Sequence, residues 1–238
     1  TYLDIASAGY MGVRVWTGNG AGVWTPASSG LPQNAYDGGI CLGDANNDGN
    51  LDIAAANYDY GSAGIGVWFG DGSGSWSSAS NGLPSSNWYT GIFMADVNND
   101  TFLDIAAANE NTGISIYAGN GAGAWTFVPT TLPNTGSHYG VWMGDVNNDG
   151  NIDLAGAGAG LHVWLGDGTG GWTESSNGLP YLTDQWNSVV LGDINLDNNL
   201  DIVSARDMGG HGIKAWLGDG VGNWVETSVG LPTTDLYY

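Results

Sequence analysis

The chain has 238 residues, 42 of them glycine and 12 tryptophan, and sets 24 acidic side chains against three basic ones for a net charge of −21. Three cations cannot neutralise a phosphate backbone or an anionic lipid surface, so nucleic acid and membrane surfaces are excluded as partners. A 42 % apolar content excludes a disordered acidic tail, and the single cysteine, Cys41, excludes an internal disulfide and a cysteine-based zinc site.

The chain opens on a truncated copy of a segment that returns four times. Residues 1–9 read TYLDIASAG, and Asp44, Asp96, Asp145 and Asp193 then head DANNDGNLDIAAAN, DVNNDTFLDIAAAN, DVNNDGNIDLAGAG and DINLDNNLDIVSAR. Two further landmarks occur five times: a G-[ND]-G-x-G-x-W motif ending at Trp24, Trp76, Trp125, Trp172 and Trp224, and a Leu-Pro pair seven residues later. Within a unit, residues 91–95 are a short apolar run expected as a strand buried on both faces. Residues 51–56 give a second strand, and 66–69 and 75–78 a hairpin whose Asn-Gly or Asp-Gly turn calls for positive φ at both residues. No apolar run approaches the ~18 residues of a membrane span. Four strands per unit and a period of about 48 residues predict an all-β, five-bladed propeller spanning 1–238 as one domain. The first unit lacks its loop and most of its inner strand, so residues 233–238 are expected to close it incompletely, and either the blade tolerates the gap or residues of another chain fill it. No signal-peptide pattern follows Thr1, as in a mature chain or an excised fragment.

Each full loop reads D-x-N-x-D-x-x-x-D. Its oxygens come from Asp44, Asn46, Asp48 and Asp52; Asp96, Asn98, Asp100 and Asp104; Asp145, Asn147, Asp149 and Asp153; and Asp193, Asn195, Asp197 and Asp201. A seventh-position carbonyl is expected from Asn50, Phe102, Asn151 and Asn199. Five or six hard oxygens with three carboxylates suit Ca²⁺ at four structural sites. Without a cation, carboxylates ~4 Å apart repel by several kcal/mol per pair at an effective dielectric of ~20. The sixth position needs the left-handed region, which Gly49 and Gly150 adopt without strain and Thr101 does not, so the second loop is expected to be the weakest. The loops have no bidentate Glu at position 12, which matches the modest affinity of extracellular calcium modules and a secreted or cell-surface location. Asn99, the one N-x-[ST] acceptor, lies inside the second loop.

The loop G-D-x-N-x-D-G-x-x-D-[IL], followed by [WY]-x-G-[DN]-G-x-G-x-W, resembles the FG-GAP/VCBS repeats of integrin-like and lectin-like β-propellers. The resemblance covers essentially the whole chain and implies structural Ca²⁺ on the side chains named above. The first unit keeps only Asp4 and receives no site. Family rings are mostly seven-bladed, so five copies leave the blade number open.

The face opposite the loops carries Tyr36, Trp88, Tyr89, His138, Tyr139, Trp186 and Tyr237 after Leu-Pro. At the end of the second strand it carries Asn57, Asn109 and Arg206 beside Tyr10, Tyr58, Tyr60, Glu110, Asp207 and His211. Aromatic faces beside planar polar groups hold sugars, and lectin-like relatives bind saccharides between blades. The expected ligand residues are therefore Tyr36, Trp88, Tyr89, Tyr139, Trp186, Asn57, Asn109 and Arg206, and the expected partners are cell-surface glycans or glycoproteins. The competing packing role is an aromatic that only plugs the gap between blades. A second reading is a homo-oligomeric subunit of a filament, sheath or surface layer, joined by strand contacts. An enzyme such as a polysaccharide lyase is disfavoured, because no nucleophile, base and oxyanion set assembles.

Overall fold

The computed structural model of the chain describes residues 3–34, 36, 38–58, 64–206 and 212–232, with the backbone alone at 182–184. These residues form strands and no helix, so none among them is long and apolar enough to cross a membrane. The first sheet is β1 (Ile5–Ser7), β2 (Arg14–Gly18) and β3 (Trp24–Pro26). The second is β4 (Ile40–Gly43), β5 (Asp52–Asn57), β6 (Gly64–Gly70) and β7 (Trp76–Ser78), and the third is β8 (Tyr89–Ala95), β9 (Asp104–Asn109), β10 (Gly113–Gly119) and β11 (Trp125–Val128). Each is an antiparallel meander in chain order. The fourth unit holds β12 (His138–Gly144), β13 (Asp153–Gly166) and β14 (Trp172–Glu174); the fifth holds β15 (Tyr181–Gly192), β16 (Asp201–Arg206), β17 (Gly212–Gly218) and β18 (Trp224–Glu226). β13 covers the places of two strands in the other units, and its pairs Ala159–Gln185 and Gly160–Tyr181 join the fourth and fifth sheets.

The sequence periodicity is thus realised as similar antiparallel sheets in series, a propeller-like arrangement. The expected closing segment, 233–238, lies outside the described residues, as do Tyr60, Asp207, His211 and Tyr237. The cores lie between consecutive units rather than within one. Ala54, Ile65 and Val67 of the second sheet pack with Met94, Ile105 and Trp125 of the third; the first sheet packs with the second, the third with the fourth, and the fourth with the fifth. The Ala-rich β5 and β9 are buried at every position. Their small side chains let flanking sheets close on them, while larger residues in the strands either side fill the space. The inner strands approach backbone to backbone: a Cβ on Gly91 would lie 3.0 Å from the Gly140 Cα, and one on Gly140 would lie 3.1 Å from the Ser188 Cα. They surround a cavity of about 610 Å³ lined by Ala6 and by residues 39–42, 90–93, 139–142 and 187–190.

The hairpin turns differ from expectation. Positive φ falls on Gly72 (70°) and Gly74 (91°), not on Asp71. Asp71 Oδ1 instead accepts the amides of Ser73 (2.8 Å) and Ser75 (3.1 Å), and Asn19, Asn120, Asp167 and Asp219 repeat the pattern. The loop is longer than a two-residue turn because the side chain, rather than the opposite strand, satisfies its amides.

Three of the hairpin tryptophans, Trp76, Trp125 and Trp224, clamp the unit before them through both indole and amide. The Trp76 indole donates to Ala27 O (2.8 Å) and its amide to Ser29 O (2.8 Å). Trp125 does the same to Ala79 O (2.7 Å) and Asn81 O (2.8 Å), and Trp224 to Ser175 O (3.1 Å) and Asn177 O (2.9 Å). A Cβ on Gly30, Gly82 or Gly178 would collide with the carbonyl of the arriving tryptophan, so glycine is needed for close approach there.

Candidate metal loops and the opposite face

The four Asp-rich loops join the inner strand of a unit to its second strand, and all four fold alike. In the first, the Asp48 amide donates to both Asp44 Oδ1 and Asn46 Oδ1 at 3.0 Å, which sets those two oxygens side by side. The Gly49 amide donates to Asp44 Oδ2 (2.9 Å), and the Asn50 amide to Asp48 Oδ1 (2.8 Å). The same bonds recur around Asp96, Asn98 and Asp100, around Asp145, Asn147 and Asp149, and around Asp193, Asn195 and Asp197. Hydrogen bonds from the loop hold Asp48, Asp149 and Asp197 below the usual carboxylate range. The sixth-position requirement appears as expected, with Gly49 at φ 85°, Gly150 at 88°, Asn198 at 69° and Thr101 forced to 78°.

The ninth-position aspartates sit differently. Asp52, Asp104, Asp153 and Asp201 are fully buried, and both oxygens of each accept amides, Ala45 N (2.8 Å) and Gly70 N (2.9 Å) in the case of Asp52. Each carboxylate therefore staples the loop to the third strand of its own sheet. Burial pushes Asp104 and Asp153 up to about 6, and Asp52 upward as well.

A link between loops was not visible in the repeat. The fourth-position residues also take positive φ, Asn47 at 58°, Asn99 at 60°, Asn148 at 59° and Leu196 at 62°. Asn47 Nδ2 reaches Thr101 O (2.9 Å), Asn99 Nδ2 reaches Asn151 Oδ1 (3.3 Å), and Asn148 Nδ2 reaches Asn199 Oδ1 (3.1 Å). The loops form a ladder running from the second unit to the fifth. The signal was there in the repeated Asn-Asn dipeptide, whose second asparagine has no place in the ligand register.

On the opposite face, several candidates are packing groups. Tyr36 precedes β4, Tyr89 and His138 open β8 and β12, and Trp186 lies within β15, each against an aromatic of the third strand of its unit. Tyr36 meets Trp68 edge-on at 5.2 Å and Trp186 meets Trp216 at 5.4 Å; the Tyr89 and Tyr117 hydroxyls are 3.3 Å apart, and His138 lies 6.4 Å from Trp164. Tyr89 and Trp186 are buried, as are Asn57 and Asn109; Asn109 Oδ1 accepts the Asn111 and Thr112 amides. These four have no surface to offer a ligand, because the repeated aromatic fills the gap inside its own unit. Arg206 lies over the buried Trp186 ring at 5.9 Å, and Tyr139 lines the central cavity. One group does gather across two units: Tyr58 donates to Glu110 Oε2 at 2.7 Å, and its ring is 5.9 Å from that of Trp88.

Four segments of the chain, 1–55, 44–107, 96–156 and 145–204, match the FG-GAP-like repeat. The chain belongs to the FG-GAP-like repeat family. Three of the four matches open on Asp44, Asp96 and Asp145, so each of these three FG-GAP-like segments spans one Asp loop and ends just past the next. A comparison with curated proteins gives no match.

The donor chemistry of the FG-GAP-like loops suits a hard divalent cation, since every side-chain acceptor is oxygen. Among the described residues, no three His, Cys, Asp or Glu side chains converge as a ready-made metal group. The first, third and fifth positions are gathered by shared amides, but the Asn46 amide donates to Asp48 Oδ2 at 2.9 Å. A cation on both residues would have to displace that bond. Asn147 to Asp149 and Asn195 to Asp197 show the same arrangement.

Proposed function

We propose that this chain is a calcium-stabilised, extracellular β-propeller recognition module that binds carbohydrate. Five sheet units act as blades around the central cavity, with Ca²⁺ held at each Asp loop by the first-, third- and fifth-position side chains. The seventh-position carbonyl and the stapled ninth-position carboxylate complete each set. The support for calcium is that four loops repeat one oxygen-rich geometry in a chain whose charge of −21 opposes compaction. Bound Ca²⁺ would neutralise carboxylates that otherwise repel one another, and it would brace the ladder that ties unit to unit.

The observation that carries the recognition reading is the Tyr58–Glu110–Trp88 group. It joins two blades, lies at the strand ends away from the loops, and combines aromatic faces with a carboxylate acceptor for hydroxyls. The strong negative charge favours neutral sugars over sialylated or sulfated ones. A glycan array probed with the wild type and with Trp88→Ala in calcium buffer tests the reading. The expected result is binding to neutral glycans that the substitution abolishes while the melting curve is unchanged; an array with no hits overturns it.

A second reading, a subunit of an extracellular assembly, is favoured by the apolar side chains exposed on the first unit: Leu3, Ile5, Tyr10, Met11, Val23 and Trp24.

A further inference from the structure

The contact by which one unit grips the next has a socket half and a knob half, and among the described residues one of each stands unfilled. The socket half is the turn after the hairpin strand, with a positive-φ glycine that the next tryptophan crosses. Gly30 (φ 90°), Gly82 (89°) and Gly178 (94°) form it where it is filled. In the fifth unit Gly230 has φ 89°, the Leu231 amide donates to Ser228 O at 3.1 Å, and the Ala215 amide donates to Ser228 Oγ at 3.1 Å. The second unit has the same bonds, from Leu83 to Ser80 O (3.1 Å) and from Val67 to Ser80 Oγ (2.8 Å). The fifth socket is therefore built in its filled form. Yet nothing among the described residues lies within 4 Å of the position a Gly230 Cβ would take.

The knob half stands at the other end. Trp125, Trp172 and Trp224 are buried under the preceding unit, whereas Trp24 is 44 % exposed on a hairpin fixed by the same Asn19 bonds as its equivalents. A second contact tells the same story independently. The residue before each ninth-position aspartate packs back on the end of the previous inner strand, Leu103 against Gly43 and Leu200 against Gly144. The corresponding pair in the first and fifth units is Leu3, 87 % exposed, and Gly192, where nothing among the described residues lies within 4 Å of the position a Cβ would take.

We propose that a second copy of this chain completes both contacts: Trp24 and Leu3 of one copy dock on the Gly230 turn and Gly192 of the next, head to tail. This deepens the assembly reading given above and rests on it. The occupant is a copy of the chain because knob and socket reproduce the residue types and backbone geometry of the filled internal junctions, and because, among the described residues, Trp24 and Leu3 are exposed and neither fills the space beside Gly230 or Gly192. The contact is heterologous, so repetition closes a ring of subunits or extends a filament, depending on the rotation per copy. Each copy carries a charge of −21, so added salt and Ca²⁺ strengthen the association.

Light scattering over a concentration series in calcium buffer tests the proposal with Trp24→Ala, which removes the knob, and Gly192→Trp, which fills the second socket. The expected result has three parts: wild-type mass grows with concentration, each variant alone associates at least about tenfold more weakly, and an equal mixture of the two stops at a pair of chains. That pair forms because one variant keeps its socket and the other its knob. Wild type that stays a single chain at every concentration overturns the proposal, as does association that ignores both substitutions. A single chain that Trp24→Ala destabilises identifies the chain's own fifth unit as the occupant and overturns it too. Glycan binding on the same samples reports separately on recognition, so either reading can fail alone.

Discussion

The Thr131 hydroxyl donates to the Trp172 carbonyl at 2.9 Å, at the one filled junction where threonine replaces the clamp glycine. The consequence reaches the indole: Trp172 Nε1 is buried without a hydrogen-bond partner, whereas the indoles of Trp76, Trp125 and Trp224 each find a carbonyl of the preceding unit. A buried unsatisfied donor costs about 1–3 kcal/mol. Thr131 cannot adopt the positive φ of its equivalents without strain, so the turn opens and the indole loses its acceptor.

Two opposite substitutions follow from that junction. Thr131→Gly should let the third unit adopt the turn of the others and raise the urea midpoint by about 1 kcal/mol in stability, the recovered hydrogen bond outweighing the entropy of a new glycine. Gly82→Thr should cost about 2–4 kcal/mol, because it adds both strain at φ 89° and a collision with the Trp125 carbonyl. Equal effects of the two substitutions would show that the clamp does not govern the junction.

Thr101 gives a second stability prediction. A β-branched residue at φ 78° stands where two of the other loops use glycine, and the left-handed region costs roughly 1–2 kcal/mol for such a side chain. Thr101→Gly should therefore stabilise the protein by about 1 kcal/mol in thermal or urea unfolding. Gly150→Thr should lose a similar amount.

How far the sequence alone led can be judged from these same residues. The unit boundaries, the strand order and the positive φ at the sixth loop position all follow from local chemistry repeated in register, where each copy confirms the others. The ladder through Asn47, Asn99 and Asn148 did not follow, since a contact between units is invisible to a pattern read within one. Tyr89 and Trp186 looked like binding aromatics for the same reason. An exposed stacking ring and a plug inside a blade have identical spacing, and only the third-strand partners Tyr117 and Trp216 tell them apart. The ninth-position aspartates were visible as oxygens, but their second task, holding the Gly70, Gly119, Gly166 and Gly218 amides, depends on where the third strand returns.

Chelation gives the third prediction. If Ca²⁺ occupies a loop at ten times its dissociation constant, mass action stabilises the fold by about 1.4 kcal/mol per site. EDTA should therefore lower the melting temperature by several degrees, and Ca²⁺ but not Mg²⁺ at equal concentration should restore it. Asp145→Asn should remove one increment in calcium while leaving the EDTA melting curve close to that of the wild type. Identical curves with and without chelator would remove calcium from the account.

Acid should act through His138, and the sign can be worked out. Its ring is 7 % exposed, with Nδ1 unpartnered, and burial followed by the neighbouring His162, 6.5 Å away, pulls its pKa from 6.5 down to about 4. His162 itself pairs with Glu174 at 2.9 Å. The folded state keeps His138 neutral, so between pH 6.5 and about 4 the unfolded chain binds the extra proton and stability falls with pH, by roughly 3 kcal/mol at most. Asp104 and Asp153 act in the opposite direction. Their folded values of about 6 lie above the ordinary 3.8, so the folded chain takes up protons first and gains stability as pH falls through 6 towards 4. The two trends oppose each other in the wild type without calcium. His138→Tyr, which places in the fourth unit the residue that Tyr89 supplies in the third, removes only the first trend. Urea midpoints of this variant in EDTA should rise between pH 7 and pH 5, while those of the wild type change less or fall. Parallel slopes for the two proteins would mean that His138 is already protonated or solvated in the fold.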